Sequence, residues 1–157
     1  MRSPHAKHGL MMLIIMLLLS VSSAQQRPSV SVGAHPFSGT LNVHATIPMF
    51  TTQDVQHSAR LNVTYAFEGQ FGTGVTYVLS DLSSTAYYTY VGAGIGAAFP
   101  QAPMISPQFS VHAAAGVHVT ISRNFGVFTE IIAAGNTLGS NLSAGIGLTY
   151  EFGRNSN

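Results

Sequence analysis

The sequence predicts an all-β protein, a closed antiparallel up-and-down barrel of eight transmembrane strands that follows a cleaved signal peptide. Three observations lead to this fold class. An apolar leader opens the chain, apolar residues recur at every second position over most of the remainder, and charge is scarce. Of the 157 residues, 46% are hydrophobic and 7% are charged, whereas soluble domains usually carry about 25% charged residues.

The first 24 residues have the three parts of a secretory signal peptide. Arg2 and Lys7 form a positive start, Leu10–Leu19 is an unbroken apolar run, and small residues precede a cleavage site after Ala24. A membrane-anchoring helix is the alternative, but it needs about 20 apolar residues. We therefore expect residues 1–24 to be a signal peptide for export and residues 25–157 to form a single barrel domain.

Strict alternation of apolar and polar or small residues identifies the strands. This period of two is typical of a strand with one apolar face, and a helix would instead place apolar residues three and four positions apart. The alternation is strongest in four segments, which are Arg60–Phe67, Phe71–Leu79, Gln108–Ile121 and Leu142–Phe152. It is weaker in four others, which are Ser29–His35, Thr40–Pro48, Ala86–Phe99 and Phe125–Gly135.

Seven connections rich in Pro, Gly, Asn, Ser and Asp separate these eight strands, as turn chemistry requires. A turn at Glu68–Gln70 would place Phe67 opposite Phe71, and a turn at Arg123–Phe125 would place His118 opposite Glu130. The predicted connections are Pro36–Gly39, Met49–Ser58, Glu68–Gln70, Ser80–Thr85, Pro100–Pro107, Ser122–Asn124 and Asn136–Ser140.

The composition of the two strand faces favours a membrane barrel over a soluble sandwich. The less apolar face carries Gly, Ala, Ser and Thr rather than the Lys, Glu and Arg of a solvated sheet, and no Lys occurs after residue 24. Small residues suit the narrow interior of an eight-stranded barrel, whose apolar face then meets lipid. Two interfacial belts of aromatic residues are predicted, namely Tyr77, Tyr87, Phe125, Tyr150 and Phe152 at one end and Phe67, Phe71, Phe99 and Phe109 at the other.

The last strand carries a motif. Gly147, Tyr150 and Phe152 belong to the segment Gly-Leu-Thr-Tyr-Glu-Phe, which has an apolar or aromatic residue at every second place. This resembles the C-terminal sorting signal of bacterial outer-membrane β-barrels. With the leader and the strand length, the chain resembles the small eight-stranded opacity-type and outer-membrane-protein-X-like families. The resemblance implies residence in the bacterial outer membrane, lipid around the barrel, and the barrel-assembly machinery as a partner during biogenesis.

The few polar side chains on the inward face predict a hydrogen-bonded interior network, because an unpaired buried charge is costly. In this interpretation His118 bonds Glu130, and Arg60 bonds whichever carboxylate it reaches. A metal site formed by the histidines is an alternative, but it needs three or four ligands converging at about 2 Å, and no metal is expected. The residues of the predicted network are Arg60, His118, Glu130, His44, His112 and Glu151.

Two other patterns look catalytic, and we interpret neither as a site. Val91–Ala97 contains Gly-Ala-Gly-Ile-Gly-Ala, but a dinucleotide site needs a helix next, and Phe99 and Pro100 follow instead. Ser110, His112 and Glu130 offer the residue types of a hydrolytic triad without the expected proximity. Cys is absent, which excludes disulfides and thiol chemistry, and the net charge of +1 gives no nucleic-acid footprint. We expect no cofactor and no enzymatic activity.

The predicted function is that of an integral outer-membrane barrel with a side-chain-filled interior and a structural or envelope role, rather than a general porin. Two alternatives remain open. One is a secreted soluble barrel that binds an apolar ligand, as lipocalins do, which would need apolar side chains inside the barrel and polar ones outside. The other is a surface-recognition barrel that contacts an unidentified extracellular partner through its outer loops, Pro100–Pro107 above all.

Overall fold

The chain forms a closed barrel of eight antiparallel strands in sequential order, as predicted. The computed structural model describes residues 27–84, 86–99, 106–136 and 139–152, so the predicted signal peptide lies outside the described residues. Among those described, no helix is long and apolar enough to cross a membrane. The strands are β1 (Ser29–His35), β2 (Thr40–Thr52), β3 (Val55–Ala66), β4 (Gln70–Asp81), β5 (Tyr87–Phe99), β6 (Gln108–Thr120), β7 (Phe125–Asn136) and β8 (Gly139–Glu151).

The first and last strands close the barrel. Ser29 pairs with Glu151, and the β1–β8 ladder continues to Ala34 and Ile146. We call the end at which Ser29 and Glu151 lie the near end, where the connections are 53–54, 82–86 and 121–124. The far end holds the connections 36–39, 67–69, 100–107 and 137–138. The positions of interior side chains are described below relative to these two ends.

The long connection predicted at Met49–Ser58 is wrong. β2 continues to Thr52 and β3 begins at Val55, so a two-residue turn joins them, with Gln53 in the left-handed region at a φ of 54°. Proline cannot donate a ladder hydrogen bond and is tolerated in sheets at bulges. The β2–β3 register shifts between Pro48 and Phe50. This bulge accommodates Pro48, which was predicted to be the last residue of the strand.

The predicted hairpin registers are also wrong, each by two residues. Tyr65 rather than Phe67 pairs with Phe71, and Phe128 rather than Glu130 pairs with His118. The observed pairings correspond to turns at 67–69 and, within the connection 121–124, at 122–124. Each turn lies one residue before the turn from which the pairing was predicted, Glu68–Gln70 or Arg123–Phe125. Because side chains alternate between faces with a period of two, a shift of two leaves every residue on its predicted face. The facing prediction is therefore independent of this error.

The barrel has an inverted distribution of polarity. Among the described residues, the buried hydrophobic ones are Val78, Tyr90, Ala114 and Phe128, whereas thirteen polar or charged residues are buried, Arg60 and Glu130 among them. The outward face consists mainly of exposed Val, Leu, Ile, Phe and Tyr side chains. In the described strands Asp81, at the near end of β4, is the outward-facing charged residue. Such a surface is compatible with lipid and not with water.

The exposed aromatic residues form two groups at opposite ends, as predicted. The near-end group also contains Phe50 and His57, which were not predicted to belong to it. Their ring centroids are stacked 4.3 Å apart, and His57 Nδ1 lies 2.5 Å from the Tyr77 hydroxyl. A 12-residue strand such as β3, tilted by about 45°, rises about 28 Å, close to the roughly 25 Å apolar band of membrane barrels. The spacing of the two groups therefore fits the thickness of a bilayer.

Candidate functional site in the barrel interior

Glu130 is the centre of the interior polar contacts. Its side chain is fully buried, and its Oε2 accepts hydrogen bonds from Arg60 Nη1 at 2.6 Å and from the Tyr90 hydroxyl at 3.0 Å. The Arg60 guanidinium also lies over the Tyr90 ring, 4.6 Å from its centroid. Glu130 Oε1 faces His35 Nε2 at 3.9 Å, which is too long for a hydrogen bond. The positive charge of Arg60 and the negative charge of Glu130 therefore compensate each other away from water.

A glycine on each neighbouring strand makes these contacts possible. Gly116 of β6 and Gly145 of β8 are the residues paired with Glu130. The Tyr90 ring lies over Gly116, and the His35 ring lies over Gly145, so each reaches Glu130 from the second strand away. The same arrangement recurs in the far half, where His112 passes over Gly94 and its Nε2 lies 2.7 Å from Thr76 Oγ1. Interior glycines thus serve as spaces that larger neighbours occupy.

Gly116→Ala is expected to destabilise the barrel by about 1–3 kcal/mol, the usual cost of overpacking. A Cβ at this position would lie 2.5 Å from the Tyr90 ring and hydroxyl and would crowd the Thr129 carbonyl. Gly135→Ala is the matched control, because a Cβ there meets nothing within 4 Å. Urea unfolding of both variants in detergent micelles measures the difference. Equal unfolding midpoints would show that Tyr90 does not depend on the space above Gly116.

Large buried side chains close the middle of the barrel. Phe128 occupies the space above Gly147 and Gly33, and its ring centroid lies 5.8 Å from that of His44. Phe128, Arg60, Tyr90 and Glu130 together form a layer across the interior, which we call the central layer. On its near side a polar void of about 20 Å³ remains, enough for about one water molecule. The near half of the barrel is therefore filled, as predicted.

The far half is not filled, which corrects the prediction of a side-chain-filled interior. A cavity of about 470 Å³ extends from the Arg60–Glu130 pair to the far end. Its walls carry Gly72, Gly74 and Gly96, beside which the nearest side chains, Thr64, His112 and Ser110, stay 3.3 Å or more from where a Cβ would lie. We call this volume the far cavity. Its polar lining includes Asn42, Asn62, Thr64, Thr76, Ser110, His112 and Ser143.

The residues of the predicted network fall into separate places. Arg60 and Glu130 are bonded to each other, and the predicted His118–Glu130 hydrogen bond is wrong. His118 stacks on Tyr88 at 4.5 Å, and within the described residues neither of its ring nitrogens has a hydrogen-bond partner. His44 lies beside the central layer and His112 in the far cavity, whereas Glu151 lies at the near end of β8. A shared role for the whole set stays a prediction.

Sequence reasoning missed Tyr90 and His35, two residues whose side chains face Glu130. Both lie on inward positions of predicted strands, and each is two strands away from Glu130 with a glycine between. The glycines on the intervening inward positions were visible in the sequence. A search for an inward glycine flanked by a large side chain on one neighbouring strand and a charged side chain on the other could have found them.

The triad and metal patterns do not assemble. His112 contacts Thr76, and Glu130 contacts Arg60 and Tyr90, so Ser110, His112 and Glu130 do not form a catalytic relay. Across the described part of the chain, no three His, Cys, Asp or Glu residues come close enough together to hold a metal ion. The glycines of Val91–Ala97 lie within β5, and no helix follows them in the described residues.

The residues of the predicted assembly signal lie on both faces of β8. Gly147 points inward beneath Phe128, and Tyr150 and Phe152 point outward in the near-end aromatic group. Tyr150 makes edge contacts with Phe125 and with Phe152, each at 5.1 Å between ring centroids. Their recognition by an assembly machinery stays a prediction.

Comparison with known proteins identifies the fold. No protein-family model and no curated protein sequence matches the chain. A de novo designed transmembrane β-barrel has 17% sequence identity and a TM-score of 0.56, over 79% of this chain and 92% of the design. Neisserial surface protein A has 10% identity and a TM-score of 0.50, over 79% of this chain and 92% of that one. The described part of the chain therefore has the fold of a small eight-stranded transmembrane β-barrel.

Proposed function

We propose that this protein is an integral β-barrel of the bacterial outer membrane with a structural or envelope role. The observation that carries the proposal is the inverted distribution of polarity, with an apolar outward surface between two aromatic groups and the charged pair Arg60–Glu130 inside. The predicted signal peptide, the C-terminal motif and the fold likeness support export to the outer membrane. The motif at Gly147–Phe152 also supports the narrower resemblance to the opacity-type and outer-membrane-protein-X-like families.

Two measurements test the location. Cells that express the full chain are separated into soluble and outer-membrane fractions, and the extracted protein is run on gels with and without boiling. We expect a membrane-fraction protein whose unboiled form migrates differently from the boiled form, because a closed barrel resists unfolding by the detergent. A protein that stays soluble without detergent would contradict the proposal and favour a soluble ligand-binding barrel.

The proposed barrel does not act as a general porin. Support comes from the central layer, which lies between the far cavity and the small near-side void in the described part of the chain and whose Arg60, Tyr90 and Phe128 are at least nine-tenths buried. We expect no steady single-channel conductance in planar bilayers and no sugar-driven swelling of proteoliposomes. A 16-stranded porin reconstituted in parallel is the positive control. Stable conductance of the unmodified chain would overturn this part of the proposal, if the conductance persists in Tyr90→Phe and rises in Phe128→Ala.

The two alternative functions differ in support. A lipocalin-like carrier needs an apolar interior, whereas here the buried set is mainly polar, so apolar ligands have no suitable pocket. Surface recognition would act through the far end, whose connections 36–39 and 67–69 are short. The predicted loop Pro100–Pro107 falls mostly outside the described residues, and recognition through it stays a prediction. The absence of enzymatic activity is part of our proposal, supported by the separate contacts of Ser110, His112 and Glu130.

A further inference from the structure

The wall of the barrel has a gap at the far end between β8 and β1. β1 has 7 residues, whereas every other strand has 12 or 13. The β1–β8 ladder ends at Ala34 and Ile146, so β8 residues 139–145 continue without a ladder partner on this side in the described residues. With the stagger and tilt usual for eight strands, the gap is on the order of 10 Å deep. We call it the side gap.

Polar groups line both sides of the side gap. On the β8 side, half of the backbone N–H and C=O groups of residues 139–145 point into it, because alternate residues of an edge strand present theirs. On the other side Ser38 Oγ bonds the Thr40 hydroxyl at 2.9 Å and donates to the His35 carbonyl. At the base, His35 Nδ1 lies 3.3 Å from Ser143 Oγ, where the backbone ladder has stopped. Backbone groups left unpaired at membrane depth are costly, so this edge favours a hydrogen-bonding occupant.

The side gap opens into the far cavity. Ser38 and Thr40 on one side, and Ser140, Asn141 and Ser143 on the other, are also lining residues of that cavity. Exposed apolar side chains flank the gap on the outside, with Phe37 at the tip of the β1–β2 turn and Leu142 on β8. A molecule in the membrane leaflet at the far end would therefore meet the apolar outward face of the barrel and, beside it, a lateral opening into the polar far cavity.

The charges of the far half favour a neutral occupant. The cavity floor holds Arg60 and Glu130, whose charges cancel in a direct ion pair at 2.6 Å. Elsewhere in the described far half the charged residue is Glu68, which is exposed on the turn 67–69. An anionic phosphate group would find no unpaired cation there, and a cationic group would find no unpaired carboxylate within the cavity. The walls instead offer neutral donors and acceptors, fixed by hydrogen bonds such as Asn62 Nδ2 to Thr76 Oγ1 at 2.6 Å.

We propose that the far cavity binds the uncharged, hydroxyl-bearing headgroup of a membrane amphiphile, which enters laterally through the side gap while its acyl chain stays against the outward face. The inference rests on the proposed membrane location. The headgroup hydroxyls bond the cavity wall and the unpaired backbone groups of β8, and the chain lies along Leu142 and Phe37. A volume of about 470 Å³ is within the roughly 300–1,000 Å³ range of small-molecule sites.

Photo-crosslinking of the full chain in phosphatidylcholine nanodiscs tests the proposal. The probe is a monoacylglycerol with a diazirine on its glycerol, and the comparison probe is the same chain with a phosphate headgroup. We expect the neutral probe to label cavity residues such as Asn62 and Ser143, in competition with unlabelled monoacylglycerol, and the phosphate probe to label them much less. Labelling confined to the outward face, or equal labelling by both probes, would overturn the inference.

Variants with the same substitution inside and outside the barrel separate the site from the fold. Thr64→Phe places a ring in the far cavity, and Thr89→Phe places one on the outward face of β5. We expect cavity labelling to fall by about tenfold in the first, which corresponds to a loss of about 1.4 kcal/mol in binding, and to stay unchanged in the second. Ser110→Phe on the opposite wall replaces Thr64→Phe if that variant does not fold.

Heat-modifiable migration is recorded for every variant, so failure of the inference is distinguishable from failure of the proposed function. If the protein folds and inserts into the membrane but Thr64→Phe and Ser110→Phe do not reduce the labelling, only the headgroup site is contradicted. Loss of insertion in the unmodified chain contradicts the membrane location itself.

Discussion

Glu130→Ala is expected to destabilise the folded barrel by about 3–5 kcal/mol, the cost of breaking a buried ion pair by removing one partner. The change leaves Arg60 as an uncompensated cation that is 8% exposed, and it removes the acceptor of the Tyr90 hydroxyl. Equilibrium unfolding in urea from lipid vesicles measures the free energy. Glu68→Ala, at an exposed position on the turn 67–69, is the matched control and should change little.

A second substitution distinguishes the charge from the space it occupies. The double variant Arg60→Met, Glu130→Leu removes both charges and keeps similar volume, and such replacements are often neutral or stabilising. We expect it to recover most of the stability lost in Glu130→Ala. A double variant that is as unstable as the single one would show that the Tyr90 contact or the packing, rather than the unpaired cation, accounts for the loss.

Ile131→Arg is expected to destabilise the inserted barrel by about 2–4 kcal/mol, the usual cost of Arg at the bilayer midplane of a membrane barrel. Ile131 points outward near the middle of β7 and is 55% exposed, so its replacement would place a cation in hydrocarbon. Ile121→Arg makes the same change at a position that is 66% exposed, in the near-end connection. There the cost should be about 0–1 kcal/mol, since interfacial depth tolerates charge.

The contrast between these two isoleucines is measured by the same urea unfolding in vesicles, with folding reported by heat-modifiable migration. In a soluble barrel both substitutions would lie on a water-facing surface and would have similar, small effects. Equal effects at positions 131 and 121 would therefore argue against a bilayer around the outward face.

The faces of the strands could be predicted from the sequence, but not the pairings between them. Alternation with a period of two places Leu61 outside and Arg60 inside whatever the register, whereas a turn that begins one residue earlier moves each pair by two. This is why His118 lies opposite Phe128 rather than Glu130. The same reasoning failed after Pro48, because a proline and, from Thr51, the polar run Thr-Thr-Gln-Asp have the composition of a loop. A bulge is not distinguishable from a strand end in one sequence.

The candidate site was predictable in its residue types and not in its contacts. Arg60 and Glu130 were the obvious interior charges, and the need to pair them follows from burial. Which ring would reach over which glycine depends on the stagger between strands, which fixes Tyr90 above Gly116 and His35 above Gly145. The far cavity was missed because a glycine alone does not say whether a ring from a neighbouring strand will lie over it, as Tyr90 lies over Gly116, or whether it will have only small side chains and backbone beside it, as Gly72 has.

The shortness of β1 also bears on the order of folding. The β1–β8 ladder runs from Ser29–Glu151 to Ala34–Ile146 and joins residues more than 110 positions apart in sequence, whereas each of the other seven ladders links neighbouring hairpin strands. Contacts of such high sequence separation carry the largest loop-closure entropy and form slowly. Seven hairpin ladders can therefore assemble as a curved sheet before its ends meet, and we expect closure across the short β1–β8 ladder to be the slowest step.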